Sequence, residues 1–235
     1  MDALKVDGWW RRATRLLLPP RCLICRERGD NGIDLCRSCS EQLPWNTLAC
    51  ARCGLPMPTA AGVCGACLRH PPALAHTRAV FVYGFPLDRL VPRLKFHRDL
   101  AAGRLMAELM AGALATAPRP DAILPVPLHA RRLRQRGYDQ ALELARPLAE
   151  ALSVPLRTDL LLRSRSTAPQ SELHAGERQR NVARAFVVPP GIAPPAHVCL
   201  IDDVMTTGAT LQAAARVLLG AGAARVDAWV CARVP

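Results

Sequence analysis

Four Cys-x-x-Cys pairs near the N-terminus constrain the fold of this 235-residue chain more than any other feature. Eight of the ten cysteines lie between residues 22 and 67, as CLIC, CRSC, CARC and CGAC, and ten residues separate each pair from the next. One such pair directs two thiolates at a single point, and a second pair completes the tetrahedron that structural zinc prefers. The four pairs therefore predict two structural zinc sites. Their ligands are Cys22, Cys25, Cys36, Cys39, Cys50, Cys53, Cys64 and Cys67.

The spacing leaves open how the pairs combine. In the simplest arrangement the first two pairs hold one metal and the last two hold the other, but a cross-braced arrangement fits the same spacing. His70, three residues after Cys67, is a further candidate ligand, although a linker histidine is the simpler interpretation. Iron–sulfur ligation is the main competitor to zinc. Disulfides are disfavoured, because we expect a cytoplasmic protein with reduced thiols.

The expected cytoplasmic location rests on the absence of a membrane-length apolar stretch and of a secretory signal. No stretch approaches the eighteen apolar residues that a membrane helix needs, and the apolar segment Leu16–Leu18 is too short for a secretory signal. We therefore expect no membrane association. The net charge of +12 favours a polyanionic partner, such as nucleic acid or a phosphorylated metabolite.

Beyond a Pro-rich linker at residues 70–76, strand patterns alternate with helical patterns. The predicted strands cover residues 78–84, 121–126, 156–161, 184–188, 197–202 and 225–231. The predicted helices cover residues 86–95, 99–115, 139–152 and 209–220. This alternation predicts an α/β fold with a mostly parallel sheet flanked by helices, which binds ligands at the carboxyl ends of its strands. The chain thus divides into an N-terminal helix (1–19), a double zinc ribbon (20–70) and an α/β domain (77–235).

The segment VCLIDDVMTTGATL, residues 198–211, places two adjacent carboxylates at the end of an apolar strand. Asp202 and Asp203 repel each other, and a buried ionised carboxylate needs a partner. The glycine, the threonine hydroxyls and the helix N-terminus that follow make a favourable site for an anion. A sugar phosphate satisfies both halves of the motif, with its phosphate in the loop and its vicinal hydroxyls on the carboxylates. The predicted phosphate loop consists of Met205, Thr206, Thr207, Gly208, Ala209 and Thr210.

A second candidate segment, PVPLHARRLRQRGYDQ, follows the predicted strand at 121–126. Arginine side chains bind phosphate oxygens bidentately, so we interpret this segment as a loop that holds a pyrophosphate. A solvated basic face is the alternative, but the Pro-bounded strand end and the glycine turn favour a site. The predicted contacts are Pro127, Leu128, Arg132, Arg136, Gly137 and Gln140.

A third segment is long, polar and charged, and it lies between two predicted strands. Loops of this length in compact domains are often lids. We therefore predict a hood over the site at residues 163–182, whose contacts are Arg163, Thr167, Gln170, Arg178 and Asn181.

The order strand, Asp-Asp, Thr-Thr-Gly-x-Thr, helix resembles the fingerprint of the type I phosphoribosyltransferases, which bind phosphoribosyl pyrophosphate. Each half alone has a simpler explanation as turn and helix capping, but the combination is more specific. The resemblance implies that Asp202 and Asp203 are catalytic and hold the ribose hydroxyls, with Mg²⁺ bound beside the diphosphate. Thr206 stands where 6-oxopurine enzymes usually carry an aspartate general base, which disfavours hypoxanthine or guanine as the acceptor.

The ordered set LKFHRD, PVPLHARRLRQRGYDQ, RSTAPQSELHAGERQRNVARAF and LIDDVMTTGATL, behind the cysteine-rich segment, resembles the competence protein F family over residues 20–233. Asp139 stands where that family often has asparagine. The resemblance implies a double zinc ribbon joined to a type I phosphoribosyltransferase domain, and a link to natural transformation and the handling of incoming single-stranded DNA.

Two functions follow from these observations. The first is an enzyme that displaces pyrophosphate from phosphoribosyl pyrophosphate in favour of an acceptor. The second is a binding module, in which the site holds a nucleotide or sugar phosphate while the ribbons and arginines contact single-stranded DNA or a DNA-uptake helicase. Aromatic residues make up only 4% of the chain, which weakens direct binding to single strands. The ribbons have a simpler alternative role as a brace for the adjoining domain.

Overall fold

The computed structural model describes residues 19–60, 62–164 and 185–235. The predicted N-terminal helix at 1–19 lies outside these residues except for Pro19. Contacts divide the chain into two compact units. The boundary along the chain lies between Leu43 and Pro44. The last two Cys-x-x-Cys pairs therefore share one unit with the sheet.

The first unit is small and is built around the first two cysteine pairs. Its described part contains a bridge between Arg21 and Arg28 and one short helix, α1 (Arg37–Glu41). Cys36 caps this helix, because its sulfur accepts a hydrogen bond from the backbone N–H of Cys39.

The described part of the second unit contains six strands. They are β1 (His76–Val82), β2 (Ala122–Pro125), β3 (Leu162–Arg163), β4 (Phe186–Val187), β5 (His197–Met205) and β6 (Arg225–Arg233). Four of them form a parallel sheet in the order β1-β6-β5-β2. The β3 and β4 strands pair separately and antiparallel. The α/β fold with a parallel sheet is thus confirmed, and the carboxyl ends of β2 and β5 lie side by side.

Six helices lie in the described part of this unit. They are α2 (Gly65–Arg69), α3 (Leu87–Phe96), α4 (Leu100–Ala113), α5 (Ala130–Arg136), α6 (Gln140–Leu152) and α7 (Ala209–Gly220). The α4 helix buries Ala102, Leu105, Met106 and Met110, a spacing that places these side chains on one face. Helix α6 packs on α4, β2 and β5, and α7 packs on β6.

The junction between α3 and α4 is closely packed. A Cβ on Gly103 would lie 2.9 Å from Leu94 Cδ1, so glycine lets the two helices approach each other. Asp99 caps α4 by accepting from the backbone N–H of Ala102, and its carboxylate also accepts from Arg93 Nε at 2.8 Å. These contacts fix the end of α3, where Lys95 lies.

The segment that carries the third and fourth Cys-x-x-Cys pairs is hydrogen-bonded to β1, the edge strand of the sheet. The backbone N–H of Asn46 donates to the Val80 carbonyl at 2.9 Å, and the N–H of Thr77 donates to the Ala51 carbonyl at 2.8 Å. The Thr77 hydroxyl donates to the Arg52 carbonyl at 2.8 Å. The ribbon segment therefore satisfies backbone groups of β1 that would otherwise face outward at the sheet edge.

Three sequence predictions were wrong in detail. The predicted strand at 156–161 is irregular apart from one parallel bridge between Leu156 and Ile123, and the strand begins only at Leu162. The arginine-rich segment is the α5 helix and not a loop, since His129 caps it and Gly137 ends it with φ of 83°. The β5 strand continues to Met205, so the aspartate pair lies within the strand.

Candidate functional site

The aspartate pair lies near the carboxyl end of β5, where successive side chains point to opposite faces. Asp203 is buried, with 3% of the residue exposed, whereas Asp202 is half-buried. The backbone N–H of Asp203 donates to Asp202 Oδ1 at 2.9 Å, and the N–H of Val204 donates to Asp203 Oδ1 at 2.6 Å. Both carboxylates nevertheless line the same cleft.

Lys95 supplies the partner that the buried aspartate needs. Its Nζ lies 3.0 Å from Asp203 Oδ2, and the two side chains are 22% and 4% exposed. Sequence analysis gave Lys95 no role beyond its place in the motif LKFHRD. Its rarity was the available signal, because Lys5 and Lys95 are the only lysines among 31 basic residues.

Asp202, the other aspartate of the pair, has a higher pKa than an ordinary carboxyl group. Burial, followed by the charge of the adjacent Asp203, raises the pKa of Asp202 to about 8, although Lys95 acts in the opposite direction. The raised pKa favours the protonated form of Asp202. A ligand or cation that binds its carboxylate form releases a proton.

The turn after β5 is shaped for close approach of a ligand. Gly208 has φ of 76° and precedes α7, and a Cβ there would lie 2.3 Å from Met205 Cε. The Met205 side chain thus lies directly against Gly208. The backbone N–H of Ala209 donates to Thr207 Oγ1 at a long 3.4 Å. Ala209, Thr210 and Leu211, at the start of α7, line the cleft, and the N-terminus of a helix suits an anion.

The arginine helix faces the same cleft with one side only. Arg132 and Arg136 line the cleft, and Arg136 donates to Gln140 Oε1 at 2.7 Å. The Arg136 guanidinium also lies over the Phe96 ring, 5.4 Å from its centroid. These two contacts hold the Arg136 charge at the cleft.

Asp139 connects the two elements that follow β2. Its Oδ1 accepts from the backbone N–H groups of Ala141 and Leu142 at the start of α6, and its Oδ2 accepts from the N–H of Leu128 at 2.9 Å. Burial raises the pKa of this carboxyl although the three N–H groups favour its ionised form. Asp139 therefore positions the backbone at Pro127 and Leu128, which line the cleft.

Of the five predicted hood contacts, one lies within the described part of the chain. Arg163 lines the cleft, and its guanidinium lies 5.4 Å from the centroid of the Phe186 ring. Burial and the nearby charge of Arg132 lower the pKa of Arg163. The other predicted contacts fall outside the described residues; they are Thr167, Gln170, Arg178 and Asn181.

The cleft encloses about 150 Å³ and brings together four segments of the chain: Lys95, residues 126–140, Arg163 and residues 202–211. Of the predicted contacts within the described residues, all except Gly137 line it. Gly137 instead ends α5. The lining residues that sequence analysis did not assign are Lys95, Val126, Val204 and Leu211.

The cysteines form two separate clusters and pair sequentially. The first contains Cys22, Cys25, Cys36 and Cys39, and the second contains Cys50, Cys53, Cys64 and Cys67. Within each cluster the sulfur atoms lie within 4.8 Å of one another. His70 ends α2 and belongs to neither cluster.

Both clusters fit tetrahedral zinc. The Cys25 and Cys36 sulfur atoms are 3.5 Å apart, and those of Cys53 and Cys64 are 3.8 Å apart. Four ligands at Zn–S distances of roughly 2.3 Å require separations of roughly 3.8 Å. Burial opposes ionisation of Cys22 and Cys50, but backbone N–H donors outweigh it and lower the pKa of each thiol to about 6, whereas burial and the neighbouring thiols raise the pKa of Cys39 and Cys67. The chain therefore carries two structural zinc sites.

No helix in the described part of the chain is long and apolar enough to span a bilayer.

The fold and the two clusters together define a class: a phosphoribosyltransferase-type α/β domain with a double zinc ribbon. The double zinc ribbon domain family matches residues 13–68, and the phosphoribosyl transferase domain family matches residues 139–235. The chain belongs to the competence protein F family, which confirms the resemblance found in the sequence.

Its relatives span nearly its whole length. The chain is 36% identical over 225 residues to the DNA utilization protein YhgH of Salmonella typhi, an alignment that covers 93% of this chain and 99% of that protein. It is 34% identical over 224 residues to competence protein F of Haemophilus influenzae, with coverage of 91% and 96%. It is 30% identical over 210 residues to competence protein ComFC of Bacillus subtilis, with coverage of 85% and 84%.

Proposed function

We propose that the chain binds phosphoribosyl pyrophosphate together with Mg²⁺ in this cleft, and that it is a phosphoribosyltransferase that acts in the processing of incoming single-stranded DNA. One observation carries the proposal. The Asp202 and Asp203 carboxylates, the loop Thr206–Thr210 and two arginines of α5 all line a single cleft. That combination matches a pentose with a phosphate at one end and a diphosphate at the other.

The 5-phosphate is assigned to the loop because that loop offers donors and no competing negative charge. The backbone N–H groups at the start of α7 and the hydroxyls of Thr206 and Thr207 can donate to phosphate oxygens. Gly208 lacks the Cβ that would narrow the turn. The ribose hydroxyls then donate to the carboxylates of Asp202 and Asp203.

The diphosphate is assigned to the opposite wall of the cleft. Arg132 and Arg136 can bind its oxygens bidentately, and the Leu128 backbone is held toward the cleft by Asp139. The donor set also fits Mg²⁺, because hard carboxylate oxygens are its preferred protein ligands, and Asp202 and Asp203 are the carboxylates that would hold it. When bound, Mg²⁺ neutralises charge on the diphosphate.

The proposed reaction is pentosyl transfer. The bond between the anomeric carbon and the pyrophosphate oxygen breaks, pyrophosphate leaves with the bonding electron pair, and the acceptor forms the new bond to that carbon. Arg132 and Arg136 stabilise the negative charge that develops on the leaving group. Asp202 and Asp203 orient the ribose and offset the positive charge that develops on its ring.

A second candidate function is a binding module without turnover. In the described part of the chain, Asp202 and Asp203 are the only acids that line the cleft, and position 206 holds a threonine. The described cleft thus contains no separate general base for an acceptor. Such a module would hold the sugar phosphate and connect it to single-stranded DNA or a helicase. The printed names of the relatives, which refer to DNA utilization and competence, support a role in DNA handling for either candidate.

Two measurements test the proposal and separate the candidates. Calorimetric titration with phosphoribosyl pyrophosphate and Mg²⁺ should give saturable binding of one ligand per chain, and absence of binding would overturn the enzyme. Pyrophosphate release from the bound ligand, assayed with candidate acceptors that include single-stranded oligonucleotides, should occur if the chain is an enzyme. Tight binding with no release across those acceptors would favour the binding module.

A further inference from the structure

Arg233, at the end of β6, connects the second cysteine cluster to the phosphate loop. Its Nε donates to the Cys53 carbonyl at 3.1 Å, and its Nη1 donates to the Met205 carbonyl at 3.3 Å. Nη1 also contacts the Val234 carbonyl. Neither the sequence patterns nor the proposed reaction accounts for an arginine at this position.

At one end of this connection, the Cys53 carbonyl belongs to the turn that presents two metal ligands. The N–H of Gly54 donates to the Cys50 carbonyl at 2.8 Å, which closes the CARC turn. The turn is itself anchored to β1, since a Cβ on Gly54 would lie 3.1 Å from Thr77 Cγ2. The position of the Cys53 carbonyl therefore depends on a turn that zinc holds closed.

At the other end, the Met205 carbonyl belongs to the last residue of β5 before the phosphate loop. It accepts from Arg233 and also from the backbone N–H of Val234 at 3.0 Å. The Met205 side chain lies against Gly208, where an added Cβ would meet its Cε at 2.3 Å. A shift of Met205 would therefore move the turn that receives the phosphate.

We propose that Arg233 is a positioning residue that couples the second zinc site to the phosphate loop, so that occupancy of this site, and not of the first, sets the affinity of the cleft. The inference rests on the proposed function for the identity of the ligand. A guanidinium can hold two carbonyls in fixed directions at once, whereas an ammonium group on a flexible chain holds a single point. The second ribbon is then part of the ligand site.

The primary experiment compares Arg233→Met with the wild type and with Arg157→Gln as a matched control. Arg157 is a half-buried arginine that forms an ion pair with Asp159 and does not line the cleft. Arg233→Met should retain two zinc ions per chain, yet bind phosphoribosyl pyrophosphate with Mg²⁺ at least about tenfold more weakly by calorimetry, because a charge-assisted positioning contact is lost. Arg157→Gln should bind like the wild type. Unchanged affinity in a folded Arg233→Met protein would overturn the proposal.

Hydrogen exchange in the ligand-free protein provides a second measurement that needs no ligand. In Arg233→Met, backbone N–H groups of residues 206–210 should exchange faster, whereas those of α6 should keep the wild-type rate. If the wild type failed to bind phosphoribosyl pyrophosphate, the proposed function would fail, and the exchange result would still decide the coupling. Arg233→Lys provides a variant for the case in which methionine prevents folding. It should give an intermediate exchange rate.

Metal-site variants test the same coupling from the zinc side. Cys64→Ser with Cys67→Ser should remove one zinc and raise exchange at residues 206–210, as Arg233→Met does. Combining these substitutions with Arg233→Met should add little further effect, because both act on one connection. Additive effects of the two changes on exchange would contradict the inference.

Discussion

The two ribbons and the cleft differ in how far apart in the sequence their parts lie. Each zinc site takes all four ligands from eighteen consecutive residues, such as 22–39, whereas the cleft brings together Lys95, the α5 arginines and the end of β5. Zinc–thiolate bonds can therefore build a ribbon locally, but the cleft exists only when the whole sheet has formed. The two regions should respond differently to the same kind of perturbation.

The second ribbon shows that the difference is not absolute. Both cysteine segments have the same spacing and both fit zinc, but the second lies in the compact unit that contains the sheet. Its backbone pairs with β1, and its Cys53 carbonyl accepts from Arg233. Identical spacing thus produces either a separate module or a part of the domain, depending on which edges the segment contacts.

The largest expected effect separates the first ribbon from the cleft. Cys25→Ser with Cys36→Ser should release one zinc and unfold the described part of the first unit, since structural zinc contributes on the order of 10 kcal/mol to such folds. The affinity for phosphoribosyl pyrophosphate should stay within about twofold of the wild type, because none of the described residues that line the cleft belongs to this unit. Zinc analysis and calorimetry measure both. A large loss of affinity would mean that the first ribbon also supports the cleft.

The reverse perturbation should affect the cleft and spare the ribbons. Asp202→Asn with Asp203→Asn should weaken binding of phosphoribosyl pyrophosphate by at least about 100-fold, since two charge-assisted hydrogen bonds are lost. The zinc content should stay at two per chain. Asp159→Asn, at an exposed carboxylate outside the cleft, is the control. Wild-type affinity in the double variant would show that the two carboxylates do not bind the ligand.

A smaller effect is expected at the turn that receives the phosphate. Gly208→Ala places a Cβ against Met205 in a backbone conformation with φ of 76°, and should weaken binding by roughly tenfold. Gly191→Ala is a matched control, because Gly191 has φ of 77° and a Cβ there would meet no atom within 4 Å. Both variants carry the same backbone strain. The difference between their ligand affinities, measured by calorimetry, therefore reports the contact of the new Cβ with Met205. Equal losses of affinity would indicate strain alone.

The pH dependence should have opposite signs for stability and for binding. A carboxyl whose pKa rises from about 4 in the unfolded chain to about 8 in the folded chain stabilises the fold fully below the lower value, and this contribution is lost progressively as pH rises to the upper one. The free energy of unfolding should therefore fall between about pH 6 and 8 and level off above pH 8, a range in which the zinc thiolates stay deprotonated. Ligand affinity should rise over the same range, because the ionised Asp202 is the form that binds.

Denaturant unfolding and calorimetry across that range measure the two slopes. Asp202→Asn should flatten the stability slope, since the asparagine side chain does not titrate. A wild-type stability that rises with pH in this interval would contradict the raised pKa of Asp202.

The smallest expected effect concerns the arginine helix. Phe96→Ala removes the ring under Arg136 and should weaken ligand binding by roughly two- to fivefold, in keeping with about 0.5–1 kcal/mol for an exposed cation–π contact. Phe85→Ala removes an equivalent ring under Arg89, outside the cleft, and should leave affinity unchanged. Equal effects from the two variants would exclude a role for Arg136 in binding.

The sequence could predict features whose determinants are close together along the chain. Ligand spacing predicted both zinc sites, and the succession of strand, carboxylates, glycine and helix predicted the turn at Gly208. The α5 helix was missed because two prolines and a dense group of arginines suggested a loop. Lys95 and Arg233 were missed for a different reason: their partners, Asp203 and Met205, are adjacent only after the sheet has formed.

A crystal structure with phosphoribosyl pyrophosphate and Mg²⁺ tests the central claim most directly. The account predicts density for the 5-phosphate at the backbone N–H groups after Thr206, and ribose hydroxyls within hydrogen-bond distance of Asp202 and Asp203. Density for the sugar away from these aspartates, with the loop N–H groups contacting no phosphate oxygen, would contradict it.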